Sequence, residues 1–424
     1  MLIDKMRKVF LLLCILMAGR LASQTLTIEQ AIAMALKGNY DIHISRNDSL
    51  LYDMYDQYAY TAFLPGVNGQ SAVNFLNNDQ RQKLADGSIR ERNNLQSENA
   101  SAAIALNWTL FDGMKMFISR DKLNANYERS KLNLQQQVST TVAQVINAYY
   151  AIVREKQQLL AIEEQMALYE ERVKLADQKL RTGLGAKPEW LQAKVDLNSQ
   201  KAAALQEKAR IQQMKQSLNL LMAVPSESDY DVTDSIPIDK DLAKEGIQGD
   251  MESSNPELKT AMQDYKISKL TLKEAKAGRY PTLNFNAAYN FSRFKNIAVI
   301  NEFTPLQNRN LGINYGFSAS IPLFNGFQVR RQIKEAELDI EYRQLLLEYK
   351  TRQARAAVSQ ALFEFRTQLE VLGLEEESLE LAKENTFISS ERFRIGITGS
   401  MDLRESQKSL QDAYNRLIAA RYAA

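Results

Sequence analysis

The feature that most constrains the fold of this chain is a pair of very long stretches without helix breakers. Between Gly113 and Gly183 there is neither glycine nor proline, and between Gly326 and Gly396 the only such residue is Gly373. In the first stretch apolar residues recur at helical spacing, as in Val138, Val142, Val145, Tyr149 and Val153. We predict one long helix over 113–182 and another over 326–395, each a rod of roughly 100 Å at about 1.5 Å per residue. Such a rod must pack against other helices to bury its apolar stripe.

The two stretches belong to an internal duplication. Leu-Phe-Asp-Gly at 110–113 returns as Leu-Phe-Asn-Gly at 323–326, and Leu-Arg-Thr-Gly at 180–183 returns as Phe-Arg-Ile-Gly at 393–396, both 213 residues later. Agreement of separate landmarks at one spacing indicates two copies of one unit. The predicted parts are a first repeat over 24–222 with a return helix over 187–222, an irregular linker over 223–254, and a second repeat over 255–424 with a return helix over 401–424.

Two strands precede each long helix. Segments 67–75, 101–111, 282–291 and 311–322 alternate between apolar and small polar side chains over about ten residues, which is typical of outer-membrane β-barrel strands. A half-buried antiparallel sheet in a water-soluble domain would alternate in the same way. Asn, Ser and Gly on the polar face, and Trp108 and Tyr289 on the apolar face, favour the barrel. The connections 77–98 and 293–310 are predicted to be long polar loops.

The number of strands in one chain indicates how many chains must assemble. Four strands cannot close a membrane barrel, and open strand edges are not tolerated in lipid. Chains must therefore pool their strands, two giving eight and three giving twelve. A barrel of eight strands is filled by its own side chains, whereas a wider barrel holds water. The Asn and Ser lining favours three chains, so we expect a mainly helical protein that contributes four strands to a trimeric, twelve-stranded membrane β-barrel.

Composition excludes several other functions. The 53 Lys and Arg nearly balance the 51 Asp and Glu, which gives no electrostatic case for nucleic-acid binding. Cys14 and His43 are the only residues of their types, so neither a disulfide framework nor a Cys/His metal site is expected. The sequence has no glycine-rich phosphate loop and no Ser-centred catalytic elbow. We expect no catalytic residue, no cofactor and no enzyme activity.

Residues 1–23 resemble a secretory signal peptide. Lys5, Arg7 and Lys8 precede an apolar run over 9–17, and small residues follow before Gln24. The alternative is a buried core helix, since the run is too short to span a bilayer. We therefore expect an exported protein.

With these parts in order, the chain resembles the TolC family of outer-membrane efflux channels. The resemblance rests on the N-terminal segment Leu26–Leu36 followed by Asn39, and on both strand-to-helix junctions and both glycine turns. It covers essentially the whole mature chain. It implies a homotrimer in the outer membrane of a Gram-negative bacterium, whose barrel continues into a long periplasmic α-helical barrel. The implied partners are outer-membrane lipid, a periplasmic adaptor (membrane fusion protein) and an inner-membrane pump of RND, ABC or MFS type, and the implied cargo is drugs, ions or secreted polypeptides.

The resemblance also implies roles for particular residues. Asp402 and Glu405, with Glu189 in the other turn, match the acidic ring of the periplasmic entrance. A purely structural alternative is that Asp402 caps the last helix and Glu405 complements its dipole. Thr398 stands where relatives carry a latching Arg. Arg394 or Arg404 could substitute for it, and the alternative is that both are merely solvated on helix faces. The tip turns expected to meet the adaptor contain Arg181, Thr182, Gly183, Leu184, Arg394, Ile395, Gly396 and Ile397. The strand-to-helix junctions contain Phe111, Gly113, Pro322, Phe324 and Gly326.

A competing hypothesis is a periplasmic coiled-coil adaptor or scaffold without a pore. An adaptor normally needs one helical hairpin and a lipoyl-like β-domain, whereas this chain has two hairpins and ten-residue amphipathic strands. A passive duct therefore fits the sequence better.

Overall fold

The structure, a computed structural model, describes residues 25–238, 254–300 and 303–424. The predicted signal peptide, 1–23, and the later part of the predicted linker lie outside these ranges. The chain divides into two compact units. The helical unit contains the described residues of 25–47, 132–257 and 350–424, and the sheet-bearing unit contains those of 48–131 and 258–349.

Long helices occupy both stretches that lack breakers. The helices Lys115–Arg181 and Gln328–Arg394 have 67 residues each, and Gly373 does not interrupt the second of them. The helices are α1 (Ile28–Gly38), α2 (Tyr40–Gln57), α3 (Lys115–Arg181), α4 (Lys187–Met222), α5 (Pro256–Ala277), α6 (Gln328–Arg394) and α7 (Ser400–Ala423), with a 3-10 turn at Tyr58–Phe63. No helix in the described ranges is both long enough and apolar enough to cross a membrane.

The N-terminal signature forms a capped helix and a sharp break. Thr27 caps α1 by accepting a hydrogen bond from the Gln30 N–H, and the Gln30 side chain accepts one from the Thr27 N–H. Asn39 separates α1 from α2, because its Oδ1 accepts the Asp41 N–H at 2.9 Å and its Nδ2 donates to the Leu221 carbonyl at 2.9 Å. The same side chain therefore starts α2 and ties it to the end of α4.

One four-stranded antiparallel sheet dominates the sheet-bearing unit. Its strands, in sheet order, are β2 (Gly66–Lys83), β3 (Ile89–Phe111), β5 (Thr282–Asn296) and β6 (Gln307–Ser320). Strands β2 and β6 are therefore edge strands without a further neighbour in the described chain. The two-residue strands β1 (Thr25–Leu26) and β4 (Asp231–Val232) pair separately.

The strands differ from the predicted ones at their hairpin ends. The predicted loop 77–98 is mostly strand, since β2 and β3 pair out to Lys83 and Ile89, and the second loop is also shorter than 293–310. Alternation detects only the part of a strand with an apolar face, whereas backbone pairing continues through polar residues. At the other end β6 stops at Ser320 rather than at 322, because Pro322 has no N–H to donate to a ladder.

The strand register gives the sheet one apolar face and one polar face, as the alternation predicts. Cross-strand partners share a face, so one apolar row contains Leu106, Ala287 and Tyr315, and the adjacent polar row contains Asn107, Asn286 and Gly316. The apolar face further contains Val67, Ile104, Trp108, Phe285, Tyr289, Phe291, Leu311, Ile313 and Phe317. The polar face further contains Asn68, Gln70, Ser101, Asn284, Asn290, Ser292, Asn314 and Ser318.

The core of the helical unit includes part of the predicted linker. Tyr149, Val153 and Leu218 are buried between α3 and α4, and Tyr230 and Val232 from the linker join them. Strand β4 pairs in parallel with β1, and Lys156 on α3 forms an ion pair with Asp231 at 2.7 Å. The prediction of irregular structure throughout 223–254 is therefore wrong for Asp231 and Val232, whose strand the neighbouring acids Asp229 and Asp231 conceal in the sequence.

Candidate functional site

Both glycine turns of the helical unit close their long helix in the same way. The Leu184 N–H donates to the Lys179 carbonyl at 2.9 Å, and the Gly183 N–H donates to the Leu180 carbonyl at 3.2 Å. In the second turn, Ile397 and Gly396 donate in the same pattern to Arg392 and Phe393. This is the Schellman arrangement, which needs a left-handed residue after the helix. Gly183 and Gly396 supply it, with φ of +78° and +85°.

The two turns expose apolar and cationic side chains and lie close together. Leu184 is 83% exposed, and Ile395 and Ile397 are exposed as well. Lys179 Nζ donates to the Phe393 carbonyl and lies 3.8 Å from the Phe393 ring centroid, which links the ends of α3 and α6. The remaining tip residues are exposed too: Arg181, Thr182, Gly183, Arg394 and Gly396.

The candidate entrance acids lie at the starts of the return helices. Asp402 and Glu405 are exposed and occupy one face of α7, three residues apart, and Glu189 is half-buried in the first turn of α4. The capping alternative for Asp402 is wrong, because Gly399 is the N-cap of α7 and no side chain bonds to that cap. Favourable contact with the helix dipole remains for Asp402 in the first turn.

A buried polar cluster joins α3, α4 and α7 behind these acids. Asp196 on α4 forms ion pairs with Arg172 on α3 and with Arg404 on α7, the latter at 3.2 Å. Arg172 also donates to Gln407 at 3.0 Å. The Arg172 and Asp196 side chains are only 2% and 11% exposed. Glu405 and Arg404 line a cavity of about 380 Å³ beside this cluster.

This cluster changes the interpretation of the cations near the entrance. Arg404 is neither free nor merely solvated, because it is bonded to Asp196. Arg394 pairs with Glu391 on its own helix at 2.5 Å. Thr398 donates its N–H to the Arg392 carbonyl, and its hydroxyl has no hydrogen-bond partner in the described chain. Of the two candidate substitutes for a latch, only Arg404 therefore bridges two helices.

A second polar cluster in the helical unit joins two carboxyl groups. Burial, and then the hydrogen bond to Glu155, raise the pKa of Glu207 on α4 to about 7. Burial also disfavours the charge on Glu155 of α3, but its hydrogen bonds to Glu207 and Arg154 outweigh that effect and hold its pKa below the usual value. Arg210 lies 3.7 Å from Glu155. Within the described residues no group of three or more His, Cys, Asp or Glu could hold a metal ion.

The two strand-to-helix junctions of the sheet-bearing unit have similar backbones and different surroundings. Each places two successive residues in the left-handed region, Gly113 with Met114 and Gly326 with Phe327. At Gly113 an added Cβ would lie 2.5 Å from the Ala277 carbonyl oxygen, so only glycine fits there. At Gly326 nothing lies within 4 Å of such a Cβ.

The second junction is consequently uncovered. Leu323 is 94% exposed, and Phe324, Pro322 and Phe327 are exposed around it, whereas Phe111 in the first junction is half-buried. In the first junction the end of α5 provides the cover. The second junction follows the edge strand β6, and the described chain supplies no equivalent cover.

The duplicated helices, the sheet and the two turns together match a known family. The sequence model described as outer membrane efflux protein matches residues 56–224 and 249–424. The chain belongs to the outer membrane efflux protein family. It is 20% identical to outer membrane protein TolC of Salmonella enteritidis over 337 residues, which cover 78% of this chain and 68% of TolC.

Two further comparisons agree. The efflux protein is 22% identical over 296 residues to protein CyaE of Bordetella pertussis, covering 68% of this chain and 59% of CyaE. The crystal structure of the Campylobacter jejuni CmeC outer membrane channel matches with a TM-score of 0.78 at 14% identity, covering 93% of this chain and 82% of CmeC. The structural match establishes the fold, and the family establishes the function. The efflux protein is an outer-membrane exit duct.

Sequence reasoning missed the two buried clusters of the helical unit. Arg172, Asp196 and Arg404 lie on three different helices, and no local spacing connects them. Glu207 follows a run of Ala, Leu and Gln on α4, and nothing in this run distinguishes it from a solvent-exposed glutamate. Only helix register brings each of these groups to its partner.

Proposed function

We propose that three copies of the efflux protein join their sheets into one closed, twelve-stranded β-barrel that conducts cargo passively to the outside. The observation that carries the proposal is that both edge strands, β2 and β6, lack a neighbour in the described chain. Edges left open in lipid would expose unpaired N–H and C=O groups. Strand β6 of one copy therefore pairs with β2 of the next copy.

The uncovered junction supports the same assembly. In one chain, the end of α5 covers the junction between β3 and α3. In the internal duplication, the 3-10 turn that precedes β2 corresponds to the end of α5. The 3-10 turn of the next copy would therefore cover the junction after β6. Assembly would then bury Leu323 and Phe324, whose exposure in water is otherwise unfavourable.

The polar face of the sheet gives the barrel a neutral lining. From Asn107 to Ser101 on β3, and from Asn286 to Ser292 on β5, the residues on this face are Asn, Ser and Ala, with no charge. Amide and hydroxyl groups hydrate well and attract neither anions nor cations strongly. The barrel would therefore exert little ionic selectivity of its own.

Selectivity is proposed to arise at the entrance of the periplasmic helical barrel. Three copies each of Asp402, Glu405 and Glu189 would place a ring of carboxylates around a narrow opening. Such a ring raises the local concentration of cations and can bind them. The bridge from Asp196 to Arg404 holds α7, which carries Asp402 and Glu405, against α4.

The tip turns are proposed to receive the helical hairpins of a periplasmic adaptor. Their support is the exposed Leu184, Ile395 and Ile397, flanked by Arg181 and Arg394. Apolar side chains with neighbouring cations suit a partner helix that carries leucines and acids. The adaptor would connect the duct to an inner-membrane pump of RND, ABC or MFS type, which selects the drugs, ions or polypeptides to be exported.

Single-channel recording in planar bilayers tests the duct directly. Purified protein reconstituted into a bilayer is expected to give discrete, ohmic conductance steps once the entrance opens. Protein that inserts but gives no conductance at any voltage or salt concentration would contradict the proposal.

The acidic ring has its own test. We expect Asp402→Ala with Glu405→Ala to reduce the preference for cations over anions, measured as a reversal potential across a salt gradient. The matched control is Glu170→Ala with Glu171→Ala, which removes the same charge from exposed positions on α3. Equal reversal potentials in both double variants would remove Asp402 and Glu405 from the entrance.

A further inference from the structure

The apolar face of the sheet ends abruptly in cations. On β5 this face runs from Leu283 to Phe291, nine residues, which is the length that a tilted strand needs to cross the apolar part of a membrane. The next residues on the same face are Arg293 and Lys295, and Arg309 on β6 is the register partner of Arg293. We call Arg293, Lys295 and Arg309 the cation row.

No member of the cation row pairs with a carboxylate in the described residues. Arg293 and Arg309 face each other directly across two antiparallel strands, where like charges are destabilising. Glu98 is the register partner of Lys295, yet in the described residues no carboxylate forms an ion pair with any member of the row. All three side chains are exposed. An anion bound between the two arginines would remove the repulsion.

A groove lies one row below these cations on the apolar face. Its volume is about 410 Å³. The small residues Gly69, Ser71 and Ala102 line its floor and leave this space open. Tyr289 and Phe291 form one wall. The Arg309 guanidinium lies 5.6 Å from the centroid of the Phe291 ring, so it contacts the wall of the groove at the end nearest the cation row.

We propose that the groove and the cation row bind one molecule of the phosphorylated glycolipid of the outer leaflet, lipid A. An acyl chain lies in the groove, and a lipid phosphate lies between Arg293 and Arg309, which guanidinium groups suit as paired donors. The hairpins lie at the ends of the strands opposite the helical junctions, which places the cation row at the outer rather than the periplasmic leaflet. The inference rests on the proposed function, because it requires the apolar face to meet lipid.

Native mass spectrometry of the protein, extracted from outer membranes in mild detergent, measures bound lipid A as a mass increment per trimer. We expect wild type to retain it, and Arg293→Gln with Arg309→Gln to lower its occupancy by up to about thirtyfold, as expected for two cations lost at an anionic lipid surface. The matched control, Arg90→Gln with Arg330→Gln, removes the same charge from residues outside the patch and is expected to retain wild-type occupancy. Conductance should be unchanged in both.

A second variant tests the groove without altering charge. Nothing lies within 4 Å of a Cβ added at Gly69, so Gly69→Leu fits and fills the groove, and it should also lower lipid A occupancy. A conducting trimer with no bound lipid A, or with equal occupancy in both double variants, would overturn the site and leave the duct intact. A monomer without conductance would overturn both proposals.

Discussion

The sheet-bearing unit and the helical unit place their charges in opposite ways. Five successive rows of the sheet, from Leu283 to Phe291, carry no charge on the apolar face. The helical unit instead buries Arg172 and Glu155 among other charged groups. In the proposed barrel, lipid would lie on one face of the sheet and cargo on the other, so neither face would offer a fixed partner for a charge, whereas packed helices supply one. We therefore expect substitutions that add or remove charge to affect the two units differently.

The largest effect is expected at the buried ion pair of the helical unit. Asp196→Ala leaves the Arg172 guanidinium buried without a counter-ion, which should lower the free energy of unfolding by about 3–5 kcal/mol. Urea unfolding followed by circular dichroism measures this. Asp196→Asn removes the charge but keeps one acceptor oxygen, so it retains part of the hydrogen bonding and should cost less. Equal stability of Asp196→Ala and wild type would show that the cluster contributes little.

The next effect compares the two faces of the sheet at adjacent residues. Phe285→Lys places a charge on the apolar face and should destabilise the inserted trimer by about 2–4 kcal/mol if it lies at mid-bilayer, as should Ile104→Lys. Asn286→Lys, on the polar face, should change stability by less than about 1 kcal/mol. The trimer dissociation temperature in detergent reports both. A larger loss for Asn286→Lys would mean that the faces are reversed.

A smaller effect is expected at the glycine turns. Gly183→Ala and Gly396→Ala force a Cβ into the left-handed region and should each cost about 1–2 kcal/mol. Gly373→Ala, in the interior of α6 with open space around it, should stabilise by about 0.5–1 kcal/mol. Thermal unfolding of the three variants shows whether each substitution stabilises or destabilises the protein. Destabilisation by all three would indicate a requirement for glycine that is unrelated to φ.

The smallest effect is a pH dependence of the helical unit. The pKa of Glu207 is raised to about 7 from an ordinary 4.5, so between these values the folded state keeps a proton that the unfolded chain has lost. The free energy of unfolding should therefore fall as pH rises from about 4.5 to about 7. Glu207→Gln should remove that slope in urea unfolding across this range. If the pH dependence persists in Glu207→Gln, other titrating groups cause it.

The sequence allowed prediction of the features that depend on local pattern. Both long helices follow from stretches without breakers, and both faces of the sheet follow from alternation around Phe285 and Asn286. The hairpin extension of β2 and β3 did not follow, because polar residues such as Gln80 and Arg92 pair through their backbones alone. The bridge from Asp196 to Arg404 could not be predicted, since it depends on the register of separate helices.

The central claim is that chains share strands to close one barrel, and counting the chains tests it most directly. Native mass spectrometry of the complex extracted from outer membranes should give three copies of the mature chain, with no monomer under mild conditions. A complex of two copies would mean an eight-stranded barrel with a filled interior, and a monomer would leave β2 and β6 without partners. Either result would contradict the account.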